Sequence, residues 1–160
     1  LYGMADPSRI QFWYAIGTMV AIPTTGFFVL KYLAPHQVLI FYPMISIITL
    51  ALTIFIKTPA MVMVAGLVLG FTAAGGILQI VVSLANEKFP ESKGKITSIV
   101  MIASSIANYV VLGLAGKITQ VYGLRSPIYI VLLNIVITAI GMVLAIYVHQ
   151  VEEKLNSLKS

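Results

Sequence analysis

Apolar residues occupy five long stretches of the chain, and each is about as long as a helix that crosses a bilayer. Such a helix needs roughly 20 mostly apolar residues, because each residue adds about 1.5 Å to a path of about 30 Å. No Asp, Glu, Lys, Arg or His occurs within these stretches. The pattern predicts five complete transmembrane helices, over residues 10–30, 38–56, 60–86, 96–116 and 127–148.

The lengths of these stretches also exclude a membrane barrel. Transmembrane strands alternate apolar and polar residues over segments of about 10 residues, and these stretches stay apolar for twice that length. Short connections with Pro, at residues 34–37 and 57–59, make neighbouring helices antiparallel. The predicted fold class is all-α: a polytopic membrane helix bundle forming one domain over residues 1–160, with a charged tail over residues 149–160.

The composition supports a lipid environment. Hydrophobic residues make up 59% of the chain and charged residues 9%, whereas soluble domains have about 25% charged residues. Too few charges remain to present a polar exterior to water, so the lipid bilayer is the expected partner. The net charge of +5 comes from basic residues scattered singly. They form no patch or stripe for phosphate groups, so no nucleic-acid partner is predicted.

The distribution of basic residues predicts which end of the bundle is cytoplasmic. Cytoplasmic loops of membrane proteins are enriched in Lys and Arg, and this places the carboxyl-terminal tail in the cytoplasm of a cell-membrane protein. The predicted cytoplasmic residues are Lys31, Lys88, Lys93, Lys95, Lys154 and Lys159, and the predicted outer residues are Arg9, Lys57, Lys117 and Arg125.

Polar and small residues recur at three- and four-residue steps within three of the spans. A polar group in hydrocarbon must find a partner, so such stripes indicate a bundle interior or a watery cavity. The third span has Thr72, Gly75, Gly76, Gln79, Ser83 and Asn86; the fourth has Thr97, Met101, Ser104, Ser105, Asn108 and Gly116; the first has Tyr14, Thr18, Ala21 and Thr25.

Two interpretations of these stripes stay open. Small residues let membrane helices pack closely, and Ser or Thr can satisfy its hydroxyl on its own helix, so packing is favoured for the hydroxyl residues. The amides of Gln79 and Asn108 have more donors and acceptors than one turn can satisfy, so a ligand role is equally favoured. Weaker stripes (Ser46, Thr49 and Thr53; Asn134, Thr138 and Gly141) are assigned to packing. The candidate substrate-binding residues are Tyr14, Thr18, Gln79, Ser83, Ser104 and Asn108.

The sequence offers no recognisable catalytic machinery. Cysteine is absent, and no span contains paired carboxylates or a set of Ser, His and Asp. His36 is interpreted as a solvated loop residue, because no second His, Asp or Glu shares its turn, and His149 lies at a membrane edge. We therefore predict no cofactor, no metal site and no enzymatic activity.

Three connections together resemble those of the major facilitator superfamily of secondary transporters. The segment FPESKGKIT at residues 89–97 is similar to that family's turn between the fourth and fifth helices of a six-helix half. Residues 113–116, followed by YGLR at residues 122–125, are similar to the next turn. After the first span Gly26 and Lys31 match the family's charged turn, but Leu30 stands where the family has Asp, and Leu33 where it has Gly.

The departures indicate the carboxyl-terminal half of such a transporter. The resemblance then implies that the spans correspond to helices eight to twelve, that residues 1–3 end helix seven, and that an amino-terminal half is missing. It implies a midplane cavity lined by the first, third and fourth spans, with the other two facing lipid.

The predicted function is secondary active transport of a small polar organic solute, a sugar or related metabolite, by alternating access. Efflux of hydrophobic compounds is one alternative, and a channel or structural membrane bundle is another from a different class. No titratable residue lies within a span. A coupling proton or sodium ion would therefore need the missing half or a loop residue such as Glu87.

Overall fold

The computed structural model describes Asp6, residues 8–31 and residues 34–158, and almost all of these residues are helical. The predicted exit of helix seven at residues 1–3, the departure at Leu33 and the tail residues 159–160 lie outside the described residues. The elements are α1 (Ser8–Lys31), α2 (Pro35–Phe55), α3 (Pro59–Leu69), a π-helical segment (Gly70–Ile77), α4 (Leu78–Lys88), a 3-10 turn (Pro90–Ser92), α5 (Lys93–Tyr122), a 3-10 turn (Gly123–Arg125) and α6 (Ser126–Ser157).

The described residues include three helical stretches that are long and apolar enough to cross a membrane. They are Pro35–Phe55, Pro59–Lys88 and Pro90–Val151, and the last of these contains both α5 and α6. The predicted all-α fold class is confirmed, because the described residues contain no strand. The number of five membrane crossings stays a prediction.

Local sequence explains where several helices begin. Pro35 and Pro59 each occupy the first turn of a helix, where the missing proline N–H costs no hydrogen bond. Thr58 caps α3, because its Oγ1 accepts a hydrogen bond of 3.3 Å from the N–H of Met61. Before α1, the Asp6 carboxylate accepts hydrogen bonds from the Ser8 hydroxyl at 2.6 Å and the Ser8 N–H at 3.0 Å. These two hydrogen bonds hold the pKa of Asp6 below its ordinary value, and the bond from the hydroxyl has the larger effect.

The last two helices extend beyond the spans predicted from hydropathy. Helix α5 continues through Lys117, which we placed in a connection, and ends at Tyr122 before Gly123. Gly123 has a φ of 51°, the left-handed region that favours glycine at a helix end. Helix α6 continues through most of the predicted tail as far as Ser157. Hydropathy marks the hydrocarbon boundary, whereas a helix ends only where backbone geometry stops it.

Helices α1 and α3 run side by side in the same direction. A Cβ added to Gly66 would lie 2.9 Å from the carbonyl oxygen of Ile10, and one added to Gly17 would lie 2.9 Å from the backbone nitrogen of Phe71. Such approaches are possible only where side chains are absent. The small residues of the first and third spans therefore lie where two helices pack, as the packing interpretation of these stripes predicts.

Helix α2 runs antiparallel to both of these elements. Its Tyr42 hydroxyl lies 3.0 Å from the Thr25 hydroxyl of α1, and its Ser46 hydroxyl lies 2.6 Å from that of Thr72 in the π-helical segment. Val38, Tyr42 and Ile80 form the buried core cluster at this junction. The predicted packing role of Ser46 agrees with this contact.

The π-helical segment changes which face of the third span is buried. Its geometry appears in the hydrogen bond from the Leu78 N–H to the carbonyl of Ala73, five residues earlier. Its residues Thr72, Gly75 and Gly76 are buried, and the next buried residue is Ile80 in α4. The predicted stripe at three- and four-residue steps is therefore buried as far as Gly76 and exposed at Gln79 and Ser83 in α4.

Candidate substrate-binding surface

The six predicted site residues lie on three elements. Tyr14 and Thr18 are in the middle of α1, and the other four residues are on α4 and α5. Gln79, Ser83, Ser104 and Asn108 are all exposed within the described part of the chain, and Tyr14 is 39% exposed.

Thr18 lies in the packed interface rather than on an open surface. Its hydroxyl lies 3.0 Å from the carbonyl of Tyr14 and 3.2 Å from the carbonyl of Gly70 across the helix contact. The neighbouring stripe members Thr72, Gly75 and Gly76 are buried in the same region. These contacts are those of a residue that joins two helices.

Gln79 and Ser83 lie beyond the π-helical segment and face away from this interface. Ile80, between them in sequence, is buried against Val38 and Tyr42, whereas Gln79 and Ser83 are exposed. The extra residue of the π-helical turn shifts the helix phase and separates Gln79 from Gly75 and Gly76. The residues of this predicted stripe thus lie on two surfaces. Thr72, Gly75 and Gly76 lie in a packed helix contact, whereas Gln79 and Ser83 lie on an exposed surface.

A pair of hydrogen bonds fixes the open surface of α4 relative to α5. The Asn86 amide nitrogen donates to the Thr97 hydroxyl oxygen at 2.9 Å, and that hydroxyl donates to the Asn86 amide oxygen at 3.1 Å. Residues three, four or seven positions apart share one helix face. Ser83 and Gln79 therefore lie on the face of Asn86, and Ser104 and Asn108 lie on the face of Thr97.

The two stripes start together at the α4 to α5 turn and lead away from it along facing sides of the two helices. We call the set of Gln79, Ser83, Ser104 and Asn108 the polar surface. No residue of α5 is buried in the described part of the chain, so no other described helix covers this surface. Transferring one amide to hydrocarbon without a hydrogen-bond partner costs roughly several kcal/mol of free energy. This surface therefore requires water or further protein against it.

A separate cavity of about 1110 Å³ lies between α2, α6 and the third span. Its lining is mostly apolar and includes Leu39, Ile77 and Leu144. Of the six predicted site residues only Tyr14 lines it. The position differs from the expectation that the first, third and fourth spans line the cavity, because α2 and α6, expected to face lipid, pack extensively against each other.

Two residues assigned to packing in the fifth span also line this cavity. The Asn134 amide nitrogen donates to the Ile130 carbonyl at 2.9 Å, and the Thr138 hydroxyl donates to the Asn134 carbonyl at 2.7 Å. Both donors therefore bond to carbonyl groups of their own helix. Asn134 differs in this respect from Asn108, whose amide is exposed.

The structure brings together two histidines that the sequence interpretation kept apart. The rings of His36 and His149 stack with centroids 4.1 Å apart and planes 9° from parallel. Nε2 of His149 lies 3.5 Å from Oε1 of Glu153, and all three residues line one end of the cavity with Lys88. His36, interpreted from the sequence as a solvated loop residue, is instead half-buried in the first turn of α2 and stacks on a ring 113 positions away in sequence. The signal available was that both histidines lie at span ends predicted to be on one side of the membrane.

Comparison with known proteins gives consistent matches along the chain. A family model described as the Major Facilitator Superfamily matches residues 5–160. The inner membrane transport protein YdiN of Escherichia coli is 32% identical over 148 residues, 91% of this chain and 34% of YdiN. The inner membrane transport protein YdiM of the same organism is 33% identical over 135 residues, 84% of this chain and 32% of YdiM.

A third relative comes from another organism. The MFS-type transporter YfkL of Bacillus subtilis is 27% identical over 160 residues, 99% of this chain and 39% of YfkL. The chain thus spans about a third of the length of the curated relatives that it matches. No solved structure matches the chain significantly.

Proposed function

Since this chain belongs to the major facilitator superfamily and is a membrane protein, we propose that it is part of a secondary active transporter. The transporter moves a small polar organic solute, a sugar or related metabolite, across the cell membrane by alternating access. The polar surface of Gln79, Ser83, Ser104 and Asn108 carries this proposal, because its two amides and two hydroxyls are exposed although they lie within predicted transmembrane spans.

The chemistry of the polar surface favours an uncharged solute. It consists of two amides and two hydroxyls, which donate and accept hydrogen bonds without net charge. Sugar hydroxyls also donate and accept, so they can pair with both kinds of group. A charged solute would leave its charge uncompensated here, because the predicted spans contain no Asp, Glu, Lys, Arg or His.

An amino-terminal half of the transporter would supply the opposite wall of the site. The curated relatives are about three times as long as the matched segment, which is compatible with such a partner. The packed contact between α1 and α3 would move as one body, while α5, with its mostly exposed side chains, would contact the other half. The carboxyl-terminal end of α6 would lie in the cytoplasm, because cytoplasmic segments are enriched in Lys and Arg and more of the basic residues are predicted on that side.

Solute uptake into proteoliposomes that contain the intact transporter tests the proposal. With radiolabelled neutral sugars and polyols as candidates, Gln79→Ala and Asn108→Ala should each raise the KM of saturable uptake by roughly 3- to 10-fold, since one hydrogen bond contributes about 1 kcal/mol. Asn134→Ala is the matched control, because its amide bonds to its own helix in the apolar cavity. It should leave KM unchanged.

Two other outcomes would contradict this function. Export of a hydrophobic dye that depends on Asn134 and not on Gln79 or Asn108 would favour efflux of hydrophobic compounds through the apolar cavity. Solute that equilibrates but never accumulates against its gradient, under any imposed proton or sodium gradient, would indicate a channel.

Unchanged saturable uptake in the Gln79→Ala, Asn108→Ala double variant would exclude the polar surface as the binding site.

A further inference from the structure

The stacked histidines occupy the end of the cavity where α2 begins and α6 leaves the bundle. His36 is in the first turn of α2, and His149 is in the extension of α6 beyond the predicted span. Both side chains are partly buried. Helix α6 packs mainly on α2, so this ring contact joins the two helices at one end.

Histidine changes charge between pH 5 and 8 more readily than any other side chain, so a pair of facing rings responds to protons. Two neutral rings, or one neutral and one charged ring, can stack. Two imidazolium rings 4.1 Å apart repel each other. The packing of α6 on α2 at this end therefore depends on how many protons the pair holds.

The charged groups around the pair come from two elements. Glu153 lies 3.5 Å from His149 on the next turn of α6, and Lys88, from the end of α4, lines the same cavity. Among the described cavity-lining residues these two are the charged neighbours of the pair, and α2 contributes none. One carboxylate beside one ring cannot neutralise two imidazolium charges.

The parallel rings argue for protons over a metal ion as the ligand. Rings that share one ion direct their nitrogen lone pairs toward it, whereas stacked rings direct them sideways. In the described part of the chain no group of three His, Cys, Asp or Glu residues is placed to hold a metal.

From this geometry we infer that His36, His149 and Glu153 form a proton-binding site that holds α6 against α2 at neutral pH and releases it in acid. Protonation of both rings breaks the ring stack. The cavity between α2, α4 and α6 then widens at this end. The inference does not depend on the identity of the solute or on transport.

Distance measurements between spin labels on the intact protein in detergent test this site. The chain has no cysteine, so label pairs can be introduced at exposed positions, Phe41→Cys on α2 and Gln150→Cys on α6. The distance should increase as pH falls from 8 to 5. In the His36→Phe, His149→Phe double variant, which keeps two stacking rings without titration, it should stay constant.

A second label pair separates this local change from general acid effects. Phe12→Cys on α1 and Val64→Cys on α3 are exposed and lie on the packed pair of helices. Their distance should not change with pH. The inference is overturned if the α2 to α6 distance is constant from pH 8 to 5, or if the Phe variant responds as the native protein does. Because no transport is measured, these outcomes are independent of the proposed function.

Discussion

A methyl group on Gly75 would collide with the Cβ of Ala21 and would lie 2.8 Å from the carbonyl oxygen of Thr18. Gly75 belongs to the π-helical segment and Ala21 to α1. Likewise, an added Cβ at Gly70 would meet the carbonyl of Tyr14. The two helices can approach this closely because glycines line their contact: Gly66, Gly70 and Gly75 in the third span and Gly17 in α1.

Gly75→Ala should therefore destabilise the folded bundle by about 1–3 kcal/mol, the usual cost of overpacking. The obstructing atoms belong to a helix backbone and a Cβ, which cannot rotate away. The free energy of unfolding in mixed detergent micelles would measure the loss. Gly113→Ala on α5 is the matched control, because an added Cβ there meets nothing within 4 Å. It should be neutral or stabilising by up to about 1 kcal/mol, and equal stability of both variants would contradict the close contact.

Tyr42→Phe should cost about 0.5–2 kcal/mol, since it leaves the Thr25 hydroxyl without its interhelical partner. Thr25 is 1% exposed, so water cannot replace the lost bond. The same unfolding measurement checks this loss. Tyr109→Phe serves as control because Tyr109 is 81% exposed, and its unfolding free energy should match that of the native protein. A Tyr42→Phe variant as stable as this control would show that the bond contributes nothing.

Thiol labelling can distinguish a wet polar surface from a lipid-facing one. Asn108→Cys should react with a membrane-impermeant maleimide in intact vesicles, because the proposed site contains water. Ile106→Cys is an informative control: Ile106 is 60% exposed within the chain, but it lies on a different, apolar face of α5. The Ile106→Cys variant should react at least about 10-fold more slowly than Asn108→Cys, since hydrocarbon excludes the charged reagent. Equal rates at both positions would mean that the polar surface has no special access to water.

The helices and their approximate ends could be predicted because these depend on local pattern. Long uncharged stretches must satisfy every backbone group within themselves in a bilayer, and only a helix does so along one segment. Pro35, Pro59 and Gly123 then mark ends through their own backbone geometry. The family resemblance also rested on short local motifs, at residues 89–97 and 113–125, and the match over residues 5–160 confirms it.

The site was only partly predictable, for a reason visible at Gly75 and Gln79. Both fit one stripe of a regular α-helix, but the π-helical segment between Gly70 and Ile77 buries the first and leaves the second exposed. A π-helical turn is stabilised by how its neighbours pack, here α1 on one side and Tyr42 on the other. Neither the hydropathy nor the spacing of residues indicates how neighbouring helices pack against this turn.

By itself the sequence determined that this protein is a bundle of apolar helices in a membrane, because the bilayer imposes the same rule on every segment separately. Only the tertiary structure decided which polar groups are shared between helices and which stay open. Thr25 bonds to Tyr42, Asn86 to Thr97, and His36 stacks on His149. The partners in each of these pairs come from different helices, and their distances depend on helix crossing and phase, which are set only when all the helices pack at once.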